Sequence, residues 1–225
     1  MGTLSIVATP IGNLEDITLR ALRTLKECDV IYAEDTRVIS KLLARYEIKK
    51  PLQRLDATTE LAKAKEVVDR LARGERVAYV TDAGTPNISD PGYRLVAAVR
   101  QALGDSLAIE AIPGASALTA ALSIAGVDAS EFVFLGFLPH KKGRQTMLRK
   151  VAGETRVVVL YESSHRILKL LKELSAVIPK REVVIAREIT KKFEEVQIDR
   201  AQGLLDFFNE YPEHTKGEFV VIVMP

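Results

Sequence analysis

Among its 225 residues the chain has one cysteine, three histidines and no tryptophan. Cys28 lacks a partner within the chain, which excludes the internal disulfide framework of small secreted proteins. One thiol and three scattered imidazoles make no cluster with the spacing of a structural zinc site, so no metal is expected. No apolar run approaches the ~20 residues that span a bilayer, and no membrane partner is expected. Met1-Gly2-Thr3-Leu4 lacks the charged n-region and cleavage site of a secretory leader, which makes the cytoplasm the expected location. Neither G-x-x-x-x-G-K-S/T nor G-x-G-x-x-G occurs, so triphosphate binding by a P-loop and a dinucleotide fingerprint are both excluded. An excess of one charge is missing too: 32 Lys and Arg face 30 Asp and Glu, a net of +2.

What remains is 47% hydrophobic and 28% charged, the composition of a globular chain long enough to bury a core unaided. Short β-rich runs alternate with amphipathic ones. Leu4 to Thr9, Val30 to Ala33, Val77 to Thr81 and Leu107 to Ile112 read as strands. Between them, Ile17, Leu19, Leu22 and Leu25 recur at helical spacing. Glu60 to Arg73 places Leu61, Ala64, Val68 and Leu71 on one helix face and stops at Gly74, and Tyr93 to Leu103 is a further helix. This alternation implies an α/β fold with a largely parallel sheet. Further on, Phe132 to Leu138, Arg156 to Tyr161, Val183 to Ala186, Glu194 to Ile198 and Phe219 to Val223 read as strands. Only the Ala201 to Asn209 helix separates the last two, which suggests a mixed sheet. No linker, low-complexity segment or fixed-period repeat interrupts the chain. The expected division is an N-terminal α/β lobe over 1–115 with cofactor and acceptor loops, and a C-terminal α/β lobe over 116–225 that completes the cofactor site and carries a basic segment.

Open α/β sheets bind ligands outside the carboxyl ends of their strands. Three of those ends carry glycine and proline: Thr9-Pro10-Ile11-Gly12-Asn13, Asp82-Ala83-Gly84-Thr85-Pro86 through Ser89-Asp90-Pro91-Gly92, and Pro113-Gly114-Ala115-Ser116-Ala117. Taken singly, each reads equally as a plain turn. The near-zero net charge also hides a segregation. From Pro139 to Phe193 there are fourteen Lys and Arg against five Glu, a net of +9, while 1–138 carries −2 and 194–225 carries −5. A located positive field is the footprint of a phosphate backbone. A solvated helix face explains Lys169 and Lys172, but not turn-borne clusters such as Lys141-Lys142-Gly143-Arg144 and Lys191-Lys192.

The loops at Thr9 to Thr18 and Asp82 to Gly92 join Ala33-Glu34-Asp35-Thr36-Arg37, Gly136-Phe137-Leu138-Pro139, Tyr161-Glu162-Ser163 with His165-Arg166, and Arg187-Glu188-Ile189-Thr190-Lys191. With these motifs, in this order over nearly the whole chain, the sequence resembles the tetrapyrrole-methylase-like superfamily of S-adenosylmethionine-dependent methyltransferases. Within it, the sequence is similar to the branch that methylates a ribose 2′-hydroxyl of a cytidine in bacterial small-subunit ribosomal RNA. Other superfamily members carry Gly-Asp-Pro where this chain has Gly84-Thr85-Pro86. Two features depart from the branch. A His-Glu-His-Asn-like stretch is replaced by Leu55-Asp56-Ala57-Thr58-Thr59-Glu60, and the C-terminal extension of many members is missing after Val223-Met224-Pro225.

The resemblance implies two α/β lobes, S-adenosylmethionine in the cleft between them, a homodimer, and ribosomal RNA or the small ribosomal subunit as partner. It places the cofactor against Pro10, Ala83, Gly84, Thr85, Ile88, Ser116, Ala117, Tyr161, Glu162 and Ala186, with Asp82 or Thr85 meeting its amino-acid end. A ribose hydroxyl is a weak acid, so a positioned proton acceptor aids its methylation. Candidates at strand ends are Glu34, Asp35, Glu162, His165 and Glu188. Glu34 and Asp35 also fit a solvated helix N-terminus, His165 also fits an exposed cap, and positioning without a base is a further option. The expected RNA contacts are Arg37, Lys141, Lys142, Arg144, Arg166, Lys191 and Lys192. The competing readings are a tetrapyrrole methyltransferase, whose carboxylate-rich substrate also suits a basic surface, and a non-catalytic RNA-binding factor. The latter predicts cofactor loops degraded by bulky or charged replacements, and none is seen.

Overall fold

Runs of β-branched and apolar residues become strands along the chain, and the amphipathic runs between them become helices. The computed structural model describes residues 2–104 and 108–225. It divides into two units, Met1–Ser116 and Ala117–Pro225. The first contains β1 (Thr3–Val7), α1 (Leu19–Glu27), β2 (Val30–Ala33), α2 (Thr36–Arg45), β3 (Leu52–Arg54), α3 (Glu60–Ala72), β4 (Arg76–Val80), α4 (Tyr93–Leu103) and β5 (Ala108–Ile112). Leu107, the first residue of the strand expected there, lies outside the described residues. The sheet order is β3-β2-β4-β1-β5 and every pairing is parallel, so all five carboxyl ends share one edge.

Helices cover both faces of this sheet, which is why β2 is buried along its whole length. On one face Ala21 and Leu25 of α1 and Leu42 of α2 pack on Val7, Ile31 and Val80. On the other, Val67 and Leu71 of α3 and Leu95 of α4 pack on Leu4, Tyr32 and Tyr79. Thr18 caps α1 by accepting from the Ala21 N–H at 3.0 Å. Leu19, expected on the inner face of α1, is 85% exposed, because Ala21 and Leu25, one turn apart, take that face.

A similar shift in α3 has a larger consequence. Leu61 is 67% exposed, and the buried stripe is Glu60, Ala64, Val67 and Leu71. The Glu60 carboxylate accepts from the N–H groups of Gly92 at 2.9 Å and Leu95 at 3.0 Å. Gly92 is the N-cap of α4, adopts φ +129° and has no side chain to cap with. A carboxylate from another helix therefore does the capping, where the helix dipole also favours negative charge.

The second unit contains α5 (Ala117–Ile124), β6 (Phe132–Phe137), α6 (Arg144–Gly153), β7 (Val157–Ser163), α7 (Ile167–Val177), β8 (Glu182–Arg187), β9 (Glu195–Arg200), α8 (Ala201–Glu210) and β10 (Glu218–Val223). Its sheet order is β6-β7-β10-β8-β9. β6 runs parallel to β7 and the other pairings are antiparallel, giving the mixed sheet implied by the sequence. The final strand inserts between β7 and β8, two places from where the chain left the sheet. Leu148 of α6, Leu171 and Leu174 of α7 and Phe208 of α8 close the core over Leu160, Ile185 and Val221. Among the described residues no helix is long and apolar enough to cross a membrane.

Replacing Glu60 strands two buried amide donors at the start of α4. Glu60→Ala is expected to destabilise the fold by about 3 kcal/mol, and Glu60→Gln, which keeps an acceptor, by about 1 kcal/mol. Urea unfolding midpoints compared at constant m-value check both figures.

Candidate active site

Because the first sheet is parallel throughout, the loops after β1, β2, β4 and β5 converge, and backbone hydrogen bonds tie them together. Thr9 and Gly84 exchange N–H···O bonds of 2.9 and 3.0 Å, and Ala8 donates to the Ile112 carbonyl at 3.1 Å. The Thr9 hydroxyl donates to the Thr81 carbonyl and the Thr85 hydroxyl to that of Ala115, each at 3.2 Å. Asp35 N–H donates to Asp82 Oδ1 at 3.0 Å. Gly84 sits at φ +81°, and a Cβ on Gly114 would lie 3.0 Å from the Ala8 Cβ. Neither position accepts a larger residue without strain. The loop continues with Asn87 and Ser89 in the left-handed region at φ +73° and +69°. Non-glycine residues seldom hold that conformation unless their surroundings impose it.

Three carboxyl groups at this edge depart upward from ordinary carboxylate behaviour. Burial pushes Asp90 up to about 7, with further contributions from the charges of Glu34 and Asp82. Glu34 is raised by burial and by Asp82, and Asp82 by partial desolvation and the charge of Asp35. Beneath them the Tyr79 hydroxyl is buried without a partner, raised by its burial and by the same acids. The Thr81 hydroxyl is likewise buried and unpartnered. Asp90 is not among the sequence-derived proton acceptors. Its signal, an acid between two prolines and glycines in a strand-end loop, is visible in the sequence, but its burial is not.

The sequence-derived candidates fare differently. Asp35 caps α2 and is held at about 2 by its hydrogen bonds to Arg37, so it is a poor proton acceptor. Glu188 accepts from Lys191 Nζ at 2.8 Å and the Glu218 N–H at 3.0 Å; these partners outweigh burial and hold its pKa below the usual value. His165 lies exposed in the turn before α7. Glu162 has no exposed side-chain surface: Arg166 Nε lies 2.7 Å from it, the Ser163 N–H donates to it at 2.9 Å, and Arg144 Nη2 is 4.0 Å away. The structure therefore moves Glu162 from proton acceptor to buried counter-ion.

Among the cofactor candidates, Ala83 is exposed and Thr85, Ile88, Ser116, Ala117 and Tyr161 are partly so, whereas Pro10 and Gly84 are buried in the loop floor. Ala186 is fully buried in β8, between Val220 and Val196 of the flanking strands, which leaves it no surface for a ligand. Among the RNA candidates, Arg144 is 3% exposed and bonded to Glu173 and to the Pro139 carbonyl. It is a structural cation, although in sequence it is indistinguishable from the two exposed lysines of its turn. Arg166 is bound to Glu162 and the Leu138 carbonyl, Lys191 to Glu188 and Glu218, and exposed Arg37 to Asp35. Lys141, Lys142 and Lys192 are exposed. In place of the missing histidines, Asp56 accepts from the N–H groups of Thr58 and Thr59 at 2.9 Å, and Glu60 caps α4. That stretch ties α3 and α4 to the sheet edge.

Comparison with known proteins agrees with this architecture. A family described as Tetrapyrrole (Corrin/Porphyrin) Methylases matches residues 3–204. The chain is 44% identical over 223 residues to a protein of Thermotoga maritima named ribosomal RNA small subunit methyltransferase I, covering 99% of this chain and 98% of that one. It is 46% identical over 224 residues to the protein of the same name from Haemophilus influenzae, covering 99% and 78%. Among solved structures, a diphthine synthase superposes with a TM-score of 0.75 at 17% identity, covering 99% of this chain and 90% of that one. A uroporphyrin-III C-methyltransferase from Thermus thermophilus, complexed with S-adenyl homocysteine, gives 0.65 at 18%, covering 99% and 97%.

An aspartate that binds its proton more tightly folded than unfolded loses stability as pH rises from about 4 through about 7. Asp90→Asn removes that loss. Its melting temperature is expected to exceed that of the unaltered protein at about pH 8, with the gap closing below about pH 4. Thermal melts across this range check it.

Proposed function

Because the chain belongs to the tetrapyrrole (corrin/porphyrin) methylase family, we propose that it is an enzyme moving a methyl group from S-adenosylmethionine to a ribose 2′-hydroxyl of a cytidine in small-subunit ribosomal RNA. The observation that carries this reading is identity of 44–46% over essentially the whole chain to proteins named ribosomal RNA small subunit methyltransferase I. A tetrapyrrole substrate is favoured by the family's description and by structural likeness at 14–21% identity, which speak to the fold rather than to the substrate. In this reading the first unit holds cofactor and acceptor, the second carries the RNA-binding segment, and the protein acts in the cytoplasm. Homodimerisation belongs to the reading on the strength of the family resemblance alone.

The loop edge suits S-adenosylmethionine in kind. Gly84 and Gly114 let backbone approach a ligand closely, and Ala83, Thr85, Ile88 and Ser116 offer short apolar and polar surfaces around them. When bound, the cofactor supplies a methyl carbon already activated for in-line displacement. The chain's own task is to align the hydroxyl and remove its proton. Asp90, pushed up to about 7 by burial, is the acceptor in this reading: burial makes its carboxylate more basic than a solvated aspartate. Glu34 and Asp82 keep it so by their charge.

Label from tritiated S-adenosylmethionine is expected in small-subunit RNA, offered as naked RNA or as assembled subunits, and not in a tetrapyrrole precursor; label in the precursor alone overturns the reading. The rate is expected to fall about tenfold per pH unit below about 7, as Asp90 takes up its proton, and Asp90→Asn is expected to lose about 100-fold and that pH limb together. Equal pH profiles for the two proteins would remove Asp90 from the mechanism.

A further inference from the structure

The edge strand of the second sheet carries three phenylalanines, Phe132, Phe134 and Phe137. Simple alternation along β6 would send Phe134 and Phe137 to opposite faces. The pairing with β7 shifts between Phe134, opposite Val159, and Gly136, opposite Leu160, and Gly136 takes up φ +61°. This bulge at Leu135 turns Phe137 to the side of Phe134, as bulges re-aim side chains near functional sites. Both rings then meet Tyr161 edge-on, at centroid distances of 4.9 and 5.6 Å. The Arg166 guanidinium lies 5.6 Å from the Phe137 ring centre and is itself held by Glu162 at 2.7 Å. Phe137 is nonetheless 50% exposed. The ring is thus held by two neighbours, Tyr161 and Arg166, with half of its surface left open for a planar partner.

The neighbouring turn supplies the chemistry of the occupant. Four residues on from Phe137, Lys141 and Lys142 stand exposed in the turn between β6 and α6. Aromatic faces interleaved with free cations are the recognition surface of single-stranded nucleic acid: bases stack on rings while lysines follow the phosphates. We propose that Phe137 is a base-stacking platform for single-stranded RNA, with Lys141 and Lys142 holding the phosphates beside the stacked base. The inference rests on the RNA reading above and deepens it. It assigns a base-contacting residue to the basic segment, and it gives the buried Glu162–Arg166 pair a purpose as the brace of the ring.

Stacking and phosphate contacts separate by their salt dependence. The probe is a short, fluorescein-labelled, cytidine-containing single-stranded RNA, with affinity read by anisotropy over a salt series. Phe137→Ala is expected to weaken binding about tenfold at every salt concentration, the size of one lost stack, without altering the salt slope. Phe137→Trp is expected to retain affinity. Phe137→Leu, which keeps apolar bulk for the fold, is expected to lose it as alanine does. Changing Lys141 and Lys142 together to alanine is expected to flatten the slope by about 1.4, two single-strand phosphates. Melting temperature and calorimetric affinity for S-adenosylmethionine should stay unchanged in Phe137→Leu. Full RNA affinity in Phe137→Leu, or no affinity in the unaltered protein, overturns the platform, whereas the RNA reading stands or falls separately on the label-transfer assay above. Full RNA affinity with a changed sedimentation behaviour overturns the platform in favour of a contact between copies of the chain.

Discussion

A carboxylate with no exposed surface has to be met by cations, and the second unit is arranged around that requirement at Glu162. Arg166 answers it from the turn before α7, and Arg144 approaches from the start of α6 while bonding to Glu173 of α7. The same two arginines close the carbonyls of Leu138 and Pro139 at the end of β6. One buried charge thereby fixes the directions in which α6 and α7 leave the sheet. It also shows that part of the basic segment, Arg144 and Arg166 included, is spent on internal anions, while Lys141, Lys142 and Lys192 stay in solvent.

The first unit handles charge in the opposite way. Its carboxyl edge gathers Glu34, Asp82 and Asp90 without a neutralising arginine among the charges acting on Asp90. The backbone bonds between Thr9 and Gly84 and the capping by Glu60 hold the loop that carries Asp90 against their mutual repulsion. Stability is given up locally to keep a carboxyl group close to its protonation midpoint, a recurring trade at reactive sites. The basic surface and the acidic edge belong to different units, which is why the whole-chain charge of +2 describes neither.

Much of this was legible beforehand. The alternation of short β-rich runs with amphipathic ones carried the α/β class and the mixed second sheet, because period and punctuation are local properties. Which face of a helix turns inward is set by the partner it meets, so helical spacing alone points to Leu19 and Leu61 where the structure buries Ala21 and Val67. Charged residues were the hardest to place. Arg144 and Lys142 look alike in sequence, and only the reach of Glu173 makes one structural and leaves the other in solvent. Asp90 is inconspicuous in sequence for the converse reason: a residue type common in turns gains its basicity from tertiary burial.

The bulge at Leu135 has a second effect, on the company the protein keeps. An edge strand rich in phenylalanine presents unpaired N–H and C=O groups to any passing chain, and such edges seed sheet-to-sheet polymerisation. An incoming strand needs an even row of partners, and the extra residue breaks that row within six residues of β6. The irregularity that turns Phe137 outward thus also guards a sticky edge, so the chain can display aromatic surface without inviting fibril growth.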